Sequence, residues 1–268
     1  MLASLAPARR RFLIAVATLA LLVAGALTVV AVRSLGEPGI EPVAQDHPGP
    51  VLLVPGYGGQ RESLMELSQA LRVRGRDATV VTLAGDGTGD LREQARVLDA
   101  AAQDALERTG ADSVDVVGYS AGGVVARLWV RDFGGAELAR RVLTLGSPHH
   151  GTQVAALAIG VLPGLCPTAC QQLAPDSDLL RALNAGDETP NGPVWVTVWS
   201  TADEVVTPPT TAELDGALNV SVQGVCADSR VVHSDLPDDP LVTGLVEMAL
   251  GQALPVSPTP GDCARLSS

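Results

Sequence analysis

The stretch Gly118-Tyr119-Ser120-Ala121-Gly122 has the form G-x-S-x-G. A serine held between glycines can occupy a strained turn in which its hydroxyl stands clear, and Gly118 and Gly122 leave room where side chains would collide. A hydroxyl is a weak nucleophile at neutral pH and needs a base. The histidines are His47, His149, His150 and His233. If serine, acid and histidine follow one another along the chain, only His233 lies late enough. The acid should come just after a strand, where it can hold the imidazole in one tautomer. Asp203 meets this after the apolar run Val194 to Trp199, with Glu204 as runner-up; Asp187 and Asp215 lie farther from a strand end. Pro55-Gly56-Tyr57-Gly58-Gly59 follows another apolar run. Glycines such as Gly56 let backbone N–H groups turn inward, so the amides of Tyr57 and Ala121 are the expected oxyanion donors. The stretch lacks the Lys-Ser/Thr ending of a phosphate loop and the spacing of a dinucleotide fingerprint.

These residues need a frame. Val51 to Val54 is a short apolar run closed by Pro55-Gly56, which suits a strand buried on both faces. Further strands are expected at Ala78 to Thr82, Val114 to Val117, Val142 to Leu145, Val194 to Trp199 and Leu218 to Val222. Between them lie helical periodicities. The first carries Leu64, Leu67 and Leu71, with Ser63 and Glu66 at capping-box spacing. The second is opened by Asp90 and ended by Gly110, and the third runs from Ala121 to Asp132. The last begins at Asp239-Pro240 and ends at Gly251. Alternating strands and helices predict an α/β fold, a mostly parallel sheet of about six strands with helices on both faces. Ser120 then sits on a strand–turn–helix junction, the setting a nucleophile elbow requires. Residues 150–190 read as an insertion over one end of the sheet.

The chain has 268 residues, 46% of them hydrophobic and 3% aromatic, so its core must be Val, Leu and Ala. The net charge of −12 conceals an asymmetry: beyond Gly36, 14 arginines face 30 acids, a balance of −16. An acidic body argues against nucleic acid as a partner. Arg9, Arg10 and Arg11 precede 21 uncharged residues, 12–32, long enough to span a bilayer. Residues 1–33 are therefore expected to be a membrane anchor or a signal peptide cut after Ala24-Gly25-Ala26, with the length favouring the anchor. A linker at 34–49, a catalytic domain at 50–252 and an extended tail at 253–268 complete the expected organisation. Four cysteines allow three pairings. Cys166–Cys170 and Cys226–Cys263 are favoured for an exported protein, while the spacing does not suit a zinc site, so no metal is expected.

Five pieces in order carry a resemblance: VPGYGG at 54–59, VVGYSAGGVVAR at 116–127, LGSPHHGT at 145–152, STADEVV at 200–206 and VVHSD at 231–235. Residues 51–233 resemble bacterial lipases and esterases of the α/β-hydrolase fold, especially small secreted actinobacterial triacylglycerol lipases. The resemblance implies hydrolysis of carboxylic esters, with lipid esters as substrates, by Ser120, Asp203 and His233, and no cofactor. It makes His149 and His150 structural. One departure is Pro55, where many relatives carry histidine; backbone donors survive that change. The same triad serves phospholipases, thioesterases and acyltransferases. An inactive fold acting as an anchored interaction protein predicts loss of a triad member, and none is lost. The sequence leaves acyl-chain length and oligomeric state open.

Overall fold

The computed structural model describes Thr18, residues 40–161 and residues 163–268. Apart from Thr18, the run 12–32 lies outside the described residues, as do residues 34–39 of the expected linker. Among the described residues, no helix is long and apolar enough to cross a membrane.

Six strands, β1 (Val51–Val54), β2 (Ala78–Val80), β3 (Val114–Tyr119), β4 (Ala139–Leu145), β5 (Val194–Trp199) and β6 (Leu218–Ser221), form one sheet in the order β2-β1-β3-β4-β5-β6. Every neighbouring pair is parallel. Parallel strands need crossovers, and helices supply them: α1 (Met65–Val73), α2 (Leu91–Thr109) and α3 (Ala121–Asp132), and α7 (Pro240–Ala249) after the last strand. Within 150–190 lie α4 (Gln153–Val161), α5 (Thr168–Gln172) and α6 (Asp178–Leu183).

Alternate strand residues face opposite layers. Leu52, Val54, Val116 and Val142 pack with Leu98 of α2, Leu128 and Trp129 of α3 and Leu180 of α6. Val51, Leu53, Val117, Leu143 and Val198 pack with Leu67 and Leu71 of α1 and Leu245 and Val246 of α7. Both faces are covered, which is why these strands read as unbroken apolar runs.

The helix ends follow local chemistry in two places. Asp90 accepts from the Arg92 N–H and Gly110 closes α2 at φ +69°, a left-handed geometry that glycine adopts without strain. The Asp239 carboxylate accepts from the Leu241 and Val242 N–H groups, and Pro240 follows at the first position. The expected capping box at Ser63 and Glu66 does not form. A 3₁₀ turn, Arg61–Leu64, precedes α1, and the Ser63 hydroxyl donates to the Gln60 carbonyl instead.

β4 begins three residues earlier than its apolar run predicts. The reason is tertiary. Arg140 and Arg141 are fully buried. Arg140 forks onto both oxygens of buried Asp115 through Nε and Nη2; Nη2 also donates to the Leu250 carbonyl, and Nη1 donates to the Gly251 carbonyl. Arg141 donates to the Ala249 and Ala253 carbonyls. These carbonyls include the unpaired C-terminal acceptors of α7, so the guanidinium groups and the helix end satisfy each other.

Strand order also places the crevice. From β1 the chain crosses to β2 on one side, then returns past β1 to β3 on the other. Loops leaving the carboxyl ends of β1 and β3 therefore diverge, and a crevice opens between them. Residues 55–59 and Ser120 are those loops.

Candidate active site

Ser120 joins β3 to α3 with φ +52° and ψ −124°, a backbone conformation that costs a non-glycine residue about 1–3 kcal/mol. Its N–H donates to the Leu145 carbonyl at 2.8 Å. Surrounding glycines make the turn possible. A Cβ on Gly118 would lie 2.5 Å from Gly123 Cα, and one on Gly122 would lie 2.2 Å from the Val54 carbonyl oxygen. Helix α3 can therefore start directly against β1, which leaves the serine hydroxyl projecting into the crevice.

The structure brings Ser120, His233 and Asp203 together from three separate loops. Ser120 Oγ lies 3.0 Å from His233 Nε2, and His233 Nδ1 lies 2.7 Å from Asp203 Oδ2. The network assigns the tautomer: Nδ1–H donates to the carboxylate and Nε2 is free to accept from the hydroxyl. The second Asp203 oxygen accepts from the Val205 and Val206 N–H groups at 2.9 and 2.8 Å, so the carboxylate cannot swing away. Both residues are buried. Glu204 points to solvent, and Asp187 and Asp215 are exposed.

The other histidines lie elsewhere. His149 is buried, with Nε2 3.1 Å from Thr144 Oγ1 and its carbonyl accepting from Asn184 Nδ2. Burial, with Arg127 and His150 nearby, holds its imidazole well below the usual histidine range, so it stays neutral. His150 pairs with Glu188 at 2.8 Å. His47 is exposed beside Asp46.

Gly56 approaches Ser120 so closely that a Cβ there would lie 3.0 Å from Ser120 Cβ. Gly58 and Gly59 spend their N–H groups on Gly87 and Gly56, whereas among the described residues the Tyr57 N–H enters no turn, loop or cap hydrogen bond. Ala121 is the first residue of α3, where an N–H has no acceptor within the helix. The Tyr57 and Ala121 N–H groups thus have no backbone acceptor among the described turn and helix bonds.

A cavity of about 280 Å³ opens from Ser120. Its walls include Tyr57, Ala155, Leu165, Leu173 and Val206, and among the described residues no ionisable group but the Tyr57 phenol. Burial and nearby Asp86 raise that phenol above its ordinary value. Much of the apolar wall continues to the surface: Val154 and Leu157 of α4, then Val161 and Leu165, are exposed. A disulfide joins Cys166 to Cys170, and Cys170 borders the cavity. Helix α5 is tied to the segment before α2, with the Ala169 N–H donating to Thr88 and Gln172 bridging Asp90 and Leu91. Gly87 of that segment lies against Gly59, where a Cβ would meet the Gly59 nitrogen at 2.5 Å. The insertion, the 84–90 segment and the 55–59 loop are thereby linked. The second disulfide, Cys226–Cys263, ties the tail to the end of the sheet.

Sequence reasoning missed several contributors. Gly146, at φ +52°, lies beneath the Asp203–His233 pair. Ser200 donates to the Val231 carbonyl, and Gln223 bonds Ser200, Thr201 and Ser229, joining the acid loop to the histidine loop. Tyr119 touches His233. A glycine directly after an apolar strand was the visible signal for Gly146; the others carried none.

Comparison with solved structures supports the fold. Lipase B of Aspergillus fumigatus aligns with a TM-score of 0.68 at 20% identity, over 84% of this chain and 57% of that one. This chain thus spans little more than half the length of that lipase. The mature form of Bacillus licheniformis lipase BlEst2 aligns with a TM-score of 0.57 at 20% identity, over 69% of this chain and 86% of that one. One of the metagenome-derived lipolytic enzymes LipS and LipT gives 0.57 at 17% identity, over 80% and 98%. At these identities the likeness is one of fold, that of α/β-hydrolases. Residues 103–243, just over half of the chain, match the family described as Lipase (class 2). The match takes in Ser120, Asp203 and His233, and the chain belongs to the class 2 lipase family.

Proposed function

We propose that this protein hydrolyses carboxylic esters of lipids, with Ser120 as nucleophile, His233 as general base and acid, and Asp203 as the group that orients it. The observation that carries this reading is the chain of contacts Ser120 Oγ, His233 Nε2, His233 Nδ1 and Asp203 Oδ2 at 3.0 and 2.7 Å in the crevice.

Ser120 Oγ attacks the carbonyl carbon while its proton passes to His233 Nε2. The carbonyl oxygen gains the negative charge and accepts from the Tyr57 and Ala121 N–H groups. Collapse breaks the bond to the alkoxy oxygen, which leaves as the alcohol with the proton from Nε2. Water then attacks the acyl-serine and gives its proton to Nε2. The second collapse releases the acid and returns the proton to Ser120.

An apolar cavity supports acyl chains as the recognised part, because a charged or strongly polar substituent would lose its hydration there without a partner. Two disulfides suit an oxidising compartment, so we place the domain outside the cytoplasm, either secreted or held at the membrane by residues 12–32. N-terminal sequencing of membrane and culture-fluid fractions distinguishes that anchor from a cleaved signal. The catalytic reading is tested with p-nitrophenyl esters of increasing chain length. Ser120→Ala and His233→Ala should each lower turnover by about 10⁴-fold or more, without adding when combined. Near-normal turnover by Ser120→Ala would overturn the triad. Rates that fall steadily from acetate to longer acyl chains would overturn the lipid substrate.

A further inference from the structure

Tyr119 is the last residue of β3 and directly precedes the nucleophile. Its side chain turns toward the histidine loop. The phenol Oη donates to the His233 backbone carbonyl at 3.2 Å. Its ring centroid lies 5.2 Å from that of the imidazole, with the planes tilted by 31°. These contacts hold different parts of one residue, the main chain and the ring; Asp203 bonds the ring at Nδ1. They also join the two loops whose separation sets the Ser120 to His233 distance. Burial and the carboxylates of Asp203, Asp238 and Asp235 push the phenol above its usual range, so Oη keeps the proton it donates.

We propose that Tyr119 is a positioning residue, fixing the His233 imidazole in line between Ser120 and Asp203 through the hydroxyl–carbonyl bond and the ring contact. This inference rests on the proposed triad. Within the motif, the residue before the serine thus acts on the base. It does not touch the reacting atoms, so its effect must vanish when His233 is absent.

Tyr119→Phe keeps the ring and removes the hydrogen bond. It should lower kcat on a soluble p-nitrophenyl ester by about 3- to 10-fold, a loss the size of one hydrogen bond, with KM unchanged and Tm lowered by about 2–4 °C. Tyr119→Leu removes both contacts and should lower kcat further. Fluorophosphonate labelling of Ser120 should slow in the same ratio, because it needs the same base. In the His233→Ala background, Tyr119→Phe should leave the residual turnover unchanged. An unchanged kcat in Tyr119→Phe, a loss expressed in KM alone, or an equal further loss without His233 would each overturn the inference. Failure of the triad reading looks different: His233→Ala itself would then retain activity.

Discussion

Gly146 offers a test of how tightly the fold holds the Asp203–His233 pair. Its φ of +52° lies in the left-handed region, where an alanine costs about 1–2 kcal/mol. A Cβ there would lie 2.5 Å from Leu236 Cδ1, 3.1 Å from Asp203 Oδ2 and 3.3 Å from His233 Nδ1. Leu236 is fully buried, so its side chain can shift only against its neighbours, and overpacking adds about 1–3 kcal/mol. Gly146→Ala should therefore destabilise the domain by about 2–5 kcal/mol, a fall in Tm on the order of 10 °C at this size. The remaining strain falls on the Asp203–His233 bond. Displacing it by a few tenths of an ångström should lower kcat about 10-fold or more, since misplacement by 1 Å can cost about 10²-fold. Gly75 is the internal control. Its φ is +81° and nothing lies within 4 Å of an added Cβ. Gly75→Ala should cost only the backbone strain, about 1–2 kcal/mol, and leave kcat unchanged. Thermal unfolding by circular dichroism and p-nitrophenyl ester turnover read both quantities. If Gly146→Ala matches Gly75→Ala in Tm and keeps kcat within about twofold of wild type, the close contacts argued from the structure do not constrain the pair.

Two further outcomes follow from the site. Asp203→Asn should lower kcat by about 10⁴-fold, because an amide disfavours the required tautomer, whereas Glu204→Gln, whose side chain is exposed, should stay within about twofold of wild type. Steady-state rates decide, and an equal loss in both variants would refute the assignment. His149 governs part of the acid stability. Its folded pKa lies well below the usual value, so the unfolded chain binds the extra proton. Stability is then full above about pH 6.5 and falls as pH drops below it, by up to about 1.4 kcal/mol per pH unit. Urea melts at pH 7, 6 and 5 should show His149→Gln with a flatter dependence than wild type; parallel slopes would contradict the neutral, buried histidine.

Some of the architecture is a matter of near neighbours, and the sequence displays it. β1 and β5 coincide with unbroken apolar runs because a strand covered on both faces has no polar side to reveal. α2 runs from its Asp90 cap to Gly110 and α3 from Ala121 to Asp132, since caps and glycines act within a turn of themselves. The elbow is equally local: strand, serine and helix are contiguous. Chain order singled out His233, because Ser120, Asp203 and His233 follow the strands β3, β5 and β6 of the sheet in sequence.

Other features required the folded chain. Arg140-Arg141 looks like an interruption, and it is a strand because Asp115 and the carbonyls near the end of α7, some 110 residues on, meet the guanidinium groups. Ser63 and Glu66 have the spacing of a capping box, yet the chain enters α1 through a 3₁₀ turn that spends the serine elsewhere. Asp203 and Glu204 are adjacent and chemically alike; only the Val205 and Val206 amides and the direction of the loop turn one inward and leave the other in water. Tyr119 and Gly146 show nothing of His233 in their own surroundings, because the loop that reaches them lies more than 80 residues farther along the chain. By itself, then, the sequence determined what adjacent residues settle through propensity, caps and periodicity: the strands, the four helices outside the 150–190 insertion, the elbow and the order of the catalytic candidates. Tertiary structure decided which carboxylate faces His233, what touches its imidazole and where buried charge is tolerated, since each depends on groups that meet only when distant segments pack.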